Sequence, residues 1–439
     1  MVSTAKPVEP TGLIRGVRRW DLVALMINCT IGAGIFGLPS QIYSLTGTYS
    51  LLAFVACAVL VALLAVCYAE VSSRFTETGG PYLYATEAFG QVIGFQVGWI
   101  AVLARVGSLA FVSNVLVNYS SFFCPAAGAR IWRTLIIIGL FAVLTGINLI
   151  GVRQTALASD VTTVGKLAPI LLFIAVGLFF LDTHRFSFAV RPSLGSFSLA
   201  VSQLFFAFTG LELGSIATGE ARDPRRNMPF AILTALGGVV IVYILIQVVC
   251  IGTLPGLASS QKPVADASRL FLGTTGASII TAGVVVSALG TLNAILLGGS
   301  RLLFAISQHG GLPRVFEYVH PRFHTPAPAI LVVAALGLTL ACTGTFRYTL
   351  TLAAISKLIT FIATTAALPV LRLRTGSPPP LVRIPGGVML SMMGMALCAW
   401  LIAHSGWREA RDVAVVSAAG FAVYFFSQSR RSKTNSISW

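Results

Sequence analysis

Thr30-Ile31-Gly32-Ala33-Gly34-Ile35-Phe36-Gly37 sets three glycines within six residues, in the middle of an apolar stretch running from about 21 to 45. Each glycine in a helix interior costs about 0.5–1 kcal/mol relative to alanine, because a backbone without Cβ loses more freedom on ordering. A helix entering this stretch is therefore expected to unwind. A second stretch, Phe208-Thr209-Gly210-Leu211-Glu212-Leu213-Gly214, combines two glycines with a carboxylate inside the sixth apolar segment. One Gly-rich span alone is ordinarily a close helix contact. Matched interruptions in the first and sixth segments instead predict an inverted repeat with a ligand site between two broken helices.

The rest of the chain fits that frame. Its 439 residues are 56% hydrophobic and only 10% charged, with a mean hydropathy of +0.86, whereas a soluble domain carries roughly 25% charged residues. Apolar stretches recur at about 21–45, 50–73, 92–117, 132–151, 157–181, 196–219, 230–252, 277–305, 328–344, 348–371, 386–404 and 411–427. Backbone groups in lipid must be satisfied internally, so each stretch predicts a helix. Twelve spans at about 20 residues each leave short loops and no room for a large soluble domain. The net charge of +16 would suggest nucleic acid in a soluble protein. Here the cations lie in the gaps between spans and act as topology signals, so no nucleic-acid partner is expected. With the N-terminus inside, the cytoplasmic gaps hold the larger share, including Arg74, Arg153, Arg222, Arg226, Arg314 and Arg372. Both termini are then cytoplasmic and the chain is a multi-pass protein of the plasma membrane. Residues 1–20 contain Lys6, Arg15, Arg18 and Arg19 without an apolar core, which reads as a cytoplasmic tail and not a signal peptide. Seven cysteines form no CxxC pair and no Cys/His metal spacing, so neither disulfides, metal nor cofactor is expected.

Four motifs in order, TIGAGIFGLP (30–39), ETGGPYLYATEAFG (77–90), GEARDPRRNMPFAI (219–232) and SALGTLNAILLGGSRLLFAISQHGGLP (287–313), resemble the amino acid/polyamine/organocation transporter superfamily. The resemblance covers nearly the whole chain. It implies an all-α integral membrane protein of 12 transmembrane helices with the leucine-transporter fold. The first five-helix repeat would span 21–185 and the second, inverted one 196–375, with helices 11–12 at 386–428 and cytoplasmic tails at 1–20 and 429–439. It implies an amino acid permease, not an enzyme, working by alternating access.

Several residues at the breaks suit that task. The N–H groups of Ile31, Gly32, Ala33 and Gly34 should lose helical partners beside the positive end of a half-helix, an anion site fit for a substrate carboxylate. GAGIFG at 32–37 also satisfies GxGxxG, but no strand precedes it, as a dinucleotide fold requires. The carbonyls of Phe206, Ala207 and Phe208 face the opposite way, as acceptors for a substrate ammonium. Thr30 and Thr209 border the two breaks. Phe206 and Phe208 are both candidates for the aromatic gate the family uses, Phe208 the stronger. Ala33, Ala104, Ser108 and Ile295 make small, non-ionic walls; arginine exchangers of the family carry a tryptophan in the place of Ile295. The substrate is thus expected to be a neutral α-amino acid.

Lys166, about ten residues into its span, costs at least about 2.5–3.5 kcal/mol at mid-membrane depth and needs a reason to be there. In sodium-coupled relatives of the fold, span 1 carbonyls and span 8 hydroxyls hold a cation beside span 5. Ser287 and Thr291 stand at i and i+4 for such a role, and Lys166 resembles the lysine that replaces the ion in sodium-independent members. Coupling would then be proton symport or exchange. Glu212 is a carboxylate deep in a span and a candidate proton carrier, since burial raises its affinity for a proton; a structural hydrogen bond is the bland alternative. Arg105 is expected to pair with Glu212 or line the cavity, the role of Lys357 is open, and Asn28 and Asn293 suit interhelical hydrogen bonds. Asn118-Tyr119-Ser120 is a weak glycosylation sequon. Sodium-coupled or polyamine transport on the same fold is the alternative reading. An intramembrane enzyme is disfavoured, because the five histidines fall in loops or at span ends.

Overall fold

A computed structural model of the chain describes residues 18–75, 80–150, 155–210, 224–374 and 379–435. Among them no strand is present, and the α-helices are α1 (Arg19–Thr30), α2 (Gly34–Thr46), α3 (Ser50–Ser72), α4 (Pro81–Phe89), α5 (Gln91–Ser120), α6 (Arg130–Ile150), α7 (Thr155–Gly177) and α8 (Leu194–Phe208). They continue as α9 (Pro224–Thr253), α10 (Pro263–Gln308), α11 (Ala327–Thr343), α12 (Phe346–Leu373), α13 (Gly387–Ala403) and α14 (Trp407–Asn435). Among the described residues seven segments are long and apolar enough to cross a membrane, and the shorter apolar helices at Lys166–Phe180, Leu194–Phe208, Ala327–Thr343 and Gly387–Ala403 accompany them. The outward faces are apolar too: Leu135, Ile138, Val143 and Ile147 on α6 and Met389, Met392 and Met393 on α13 are exposed. Continuous apolar faces of this kind suit a lipid solvent and would be a liability in water.

Two helices depart from the apolar pattern. The helix that carries the seventh apolar stretch begins at Pro224, well before that stretch at 230. Proline is favoured at the first helical position, where its missing N–H has no partner to lose. Before the eighth apolar stretch, Pro263–Leu272 is also helical, and Gly273 (φ 66°, ψ −170°) joins it to the long span at a kink. Asp266 and Arg269 dilute the apolar signal there, so hydropathy alone reads a loop.

The packing sorts the helices into two groups. In one, α1 and α3 pack on α9, while α2 and α3 pack on α8. In the other, α5 packs on α10 and α11, with α6 beside α11. α7 lies between α10 and α9, and α12 packs on α5, α3 and α8. The two chain interruptions both fall in the first group and look across at α5, α10 and α12.

Candidate functional site

The first break is present where the glycines stand: α1 ends at Thr30, α2 begins at Gly34, and Ile31 is extended at ψ 91°. The second follows α8, with Thr209 extended at ψ 132° and Gly210 at φ 135°, a conformation only glycine takes without strain. Leu211, Glu212 and the rest of that motif to Asp223 lie outside the described residues, so the fate of the Glu212 carboxylate does too.

The backbone groups at the breaks are more engaged than unwinding alone suggests. Ile31 N–H still donates to Ile27 at 2.9 Å, closing α1, and so leaves the expected anion-binding set. Ala33 N–H points to Thr291 Oγ1 at 3.5 Å. The Phe206 carbonyl accepts from the Thr209 hydroxyl at 2.6 Å. The Tyr243 hydroxyl of α9 lies 3.0 Å from the Thr30 carbonyl and 2.9 Å from the Ala207 carbonyl. One phenolic proton is thus shared between carbonyls at the ends of α1 and α8, and the expected ammonium acceptors are already partly used. Tyr243 was missed in the sequence, although a lone tyrosine in the apolar run Ile241-Val242-Tyr243-Ile244 is itself a signal: a buried hydroxyl needs a partner.

Gly34 is where the two breaks meet. A Cβ built on it would lie 3.0 Å from Phe206 Cε1 and 3.2 Å from Cδ1, so the aromatic ring rests directly on the start of α2. Phe206 also meets Phe111 of α5 edge-on, centroids 4.8 Å apart. Phe208 instead packs against Tyr243 at 5.1 Å. Of the two gate candidates it is Phe206, not Phe208, that covers the break. Ala33, Ala104, Ser108 and Ile295, the expected walls, are all buried. The Thr30 and Ser108 hydroxyls turn back onto Met26 and Ala104 of their own helices.

Lys166 of α7 donates from Nζ to the carbonyl of Asn28 on α1. The α10 hydroxyls lie on the same side: Thr291 donates to Ser287 O at 2.8 Å while its oxygen faces Ala33 N–H, and it would stand 3.3 Å from a Cβ on Gly32. Ser287 Oγ and Asn28 Oδ1 are buried with no hydrogen-bond partner among the described residues. Buried polar atoms without partners are uncommon and call for an explanation.

Lys357 supplies the feature the sequence left open. From near the middle of α12, its Nζ donates to Thr209 Oγ1 and lies 4.2 Å from the centroid of the Phe206 ring. Arg105 lies against α10, its Cβ 3.3 Å from a Cβ built on Gly299, and its expected partner Glu212 lies outside the described residues. Asn293 accepts from Asn148 at 2.8 Å, an interhelical hydrogen bond of the expected kind. The sequon is closed: Asn118 is buried in α5 and its oxygen accepts from Arg133.

Known proteins resemble this chain along most of its length. A family model described as amino acid permease matches residues 18–437. Similar curated proteins include the methylthioribose transporter of Bacillus subtilis, 27% identical over 96% of this chain and 95% of that one. The branched-chain amino acid permease of the same organism is 26% identical, over 96% and 95% respectively. Its serine/threonine exchanger is 29% identical over 75% and 77%. These are transporters and permeases, not enzymes, and this chain is a multi-pass membrane protein that belongs to the amino acid permease family.

Proposed function

We propose that the chain is a secondary active transporter of neutral α-amino acids that works by alternating access and needs no sodium. The observation that carries this reading is the meeting of Phe206 with Gly34, where the two broken half-helices share one contact at the start of α2. A substrate carboxylate would take the N–H groups of Gly32 and Gly34 at the positive end of α2. Its ammonium would be received by the α8 terminus, and Phe206 would close over it. Removing Ile31 from the donor set leaves a smaller cradle, which suits a single carboxylate. Small walls at Ala33, Ala104 and Ile295 favour a side chain of modest size and no charge.

Lys166 would stand for the coupling ion. A lysine offers three donors; the Asn28 carbonyl accepts one of them, and Ser287, whose hydroxyl has no partner among the described residues, would supply a further acceptor from α10. Its protonated form would tie α1, α7 and α10 together; release of the proton would let them part, giving proton symport, while a permanently charged lysine would give exchange. Glu212 remains a candidate second proton carrier. The architecture proposed with this function is twelve spans, repeats at 21–185 and 196–375, two added helices at 386–428, and both tails on the cytoplasmic side of the plasma membrane. The grouping of α1, α2, α3, α8 and α9 apart from α5, α6, α10 and α11 supports it.

The test uses purified protein in liposomes, offered neutral, acidic and basic amino acids, polyamines and methylthioribose under separate proton and sodium gradients. Accumulation of neutral amino acids without a sodium gradient is expected, and Lys166→Ala should lose most of the rate. A need for sodium, normal transport by Lys166→Ala, or transport of methylthioribose or polyamines alone would overturn the corresponding part of the reading.

A further inference from the structure

We infer that Lys357 is a positioning residue for the gate, a strap that holds the Phe206 ring over the start of α2; this rests on the transport reading above. Three contacts fix that ring. Its Cδ1–Cε1 side abuts Gly34, Phe111 meets it at an interplanar angle of 71° and the Lys357 ammonium sits against it at 4.2 Å from the centroid. Phe206 is thereby almost wholly buried, with 6% of its surface exposed. Gly34 offers only dispersion, and the edge-on Phe111 ring adds the quadrupolar contact of two neutral rings. The ammonium adds an attraction to the negative ring face that depends on orientation and grows where water is excluded.

The same ammonium is anchored to the backbone of the break. It donates to Thr209 Oγ1, and the Thr209 hydroxyl passes its own proton to the Phe206 carbonyl at 2.6 Å. The hydrogen bonds run in one direction, from Lys357 through Thr209 to the main chain of the residue whose ring the lysine touches. Lys357 therefore holds Phe206 at both ends, ring and carbonyl, and does so from α12, a helix that also packs on α5 and α3. A cation at this depth is expensive, and this one is placed against the Phe206 ring and the Thr209 hydroxyl, where its charge has a use. Movement of α12 relative to α8 would release ring and carbonyl together, and the gate would open in one step.

A gate strap changes how long substrate stays bound and leaves the scaffold intact. In liposomes, with the neutral amino acid that the wild type carries best, Lys357→Met is expected to raise KM at least tenfold while the maximal rate stays within about threefold. Lys357→Gln keeps a donor for Thr209 but removes the cation, and should fall between; Lys357→Arg keeps both contacts and should stay within about threefold of wild type in KM. The decisive comparison is made in a Phe206→Leu background, where no ring remains to be held: there Lys357→Met should alter KM less than twofold. The inference fails if Lys357→Met and Lys357→Gln both match the wild-type KM, or if the effect of Lys357→Met is undiminished in Phe206→Leu. It fails also if both lysine variants lose the monodisperse folded peak in size-exclusion chromatography, since a strap on the gate is not needed to fold. A wild type that carries no member of the panel would instead sink the amino acid reading itself, and leaves a different signature, because no KM exists to compare.

Discussion

Gly34 and Tyr243 show what single positions contribute to a site built from interrupted helices. Gly34 has no room for a side chain, since even a methyl group would press on Phe206 at 3.0 Å. Gly34→Leu is expected to abolish uptake with the protein still folded, because the ring must leave its seat and the backbone can no longer approach a ligand; retained uptake at wild-type affinity would place the site elsewhere. Tyr243→Phe removes one hydroxyl and deprives two buried carbonyls, those of Thr30 and Ala207, of a donor. An unsatisfied buried polar group costs about 1–3 kcal/mol, so a measurable fall in thermal midpoint and a several-fold loss of rate should appear together. An unchanged midpoint would mean that water replaces the phenol. Residues of this kind divide by how their signal reaches the sequence. Glycines and lysines inside apolar runs are local anomalies, so Gly32, Gly34 and Lys166 were legible. Phe206 against Phe208 was not: the two side chains lie about 200° apart around one helix, and only the position of α9 decides that Phe208 meets Tyr243 while Phe206 meets Gly34.

At the level of elements, hydropathy located α3, α5, α6, α11 and α13 to within a few residues, because a membrane-spanning helix announces itself by length and apolarity. It failed where charges interrupt a helix that sits off the main spans, as in Pro263–Leu272. That helix turns into the long part of α10 through Gly273, whose φ of 66° and ψ of −170° lie in a region open in practice to glycine. A Cβ there would meet no atom within 4 Å, so packing does not oppose substitution and the penalty is purely one of backbone. Gly273→Ala is expected to lower stability by about 1–3 kcal/mol while leaving KM unchanged, since the kink is remote from Ser287 and Thr291 along the helix. A shifted KM with unaltered thermal midpoint would show that the kink sets the position of α10 at the site and not its stability.

For the molecule as a whole, the problem is to hold together helices that share only apolar faces in an apolar solvent, where burial supplies no net drive. One solution lies at the ends of α3 and α12. Glu70 is fully buried and pairs with Arg372 at 2.6 Å and Arg74 at 3.6 Å. Arg372 also donates to the Ile384 carbonyl at 2.7 Å while Ile384 N–H returns to Glu70 at 2.8 Å. Arg74 reaches the Leu371 carbonyl, and Ser73 receives the N–H of Val382. Helix α3, the end of α12 and the stretch leading into α13 are thus joined by charge at a place where separating them would leave the buried Glu70 carboxylate with only the longer Arg74 contact. Breaking a buried pair from one side costs about 3–5 kcal/mol, whereas removing both partners costs much less. Glu70→Ala should therefore lower the thermal midpoint steeply, Arg372→Ala should do so nearly as much, and the double variant should be less damaged than the two losses added. A coupling energy of about 0.5–3 kcal/mol is expected from that cycle. Additive losses would mean that the backbone hydrogen bonds at Ile384 and Leu371 hold the helices unaided, and that the ion cluster is a passenger on a junction already formed.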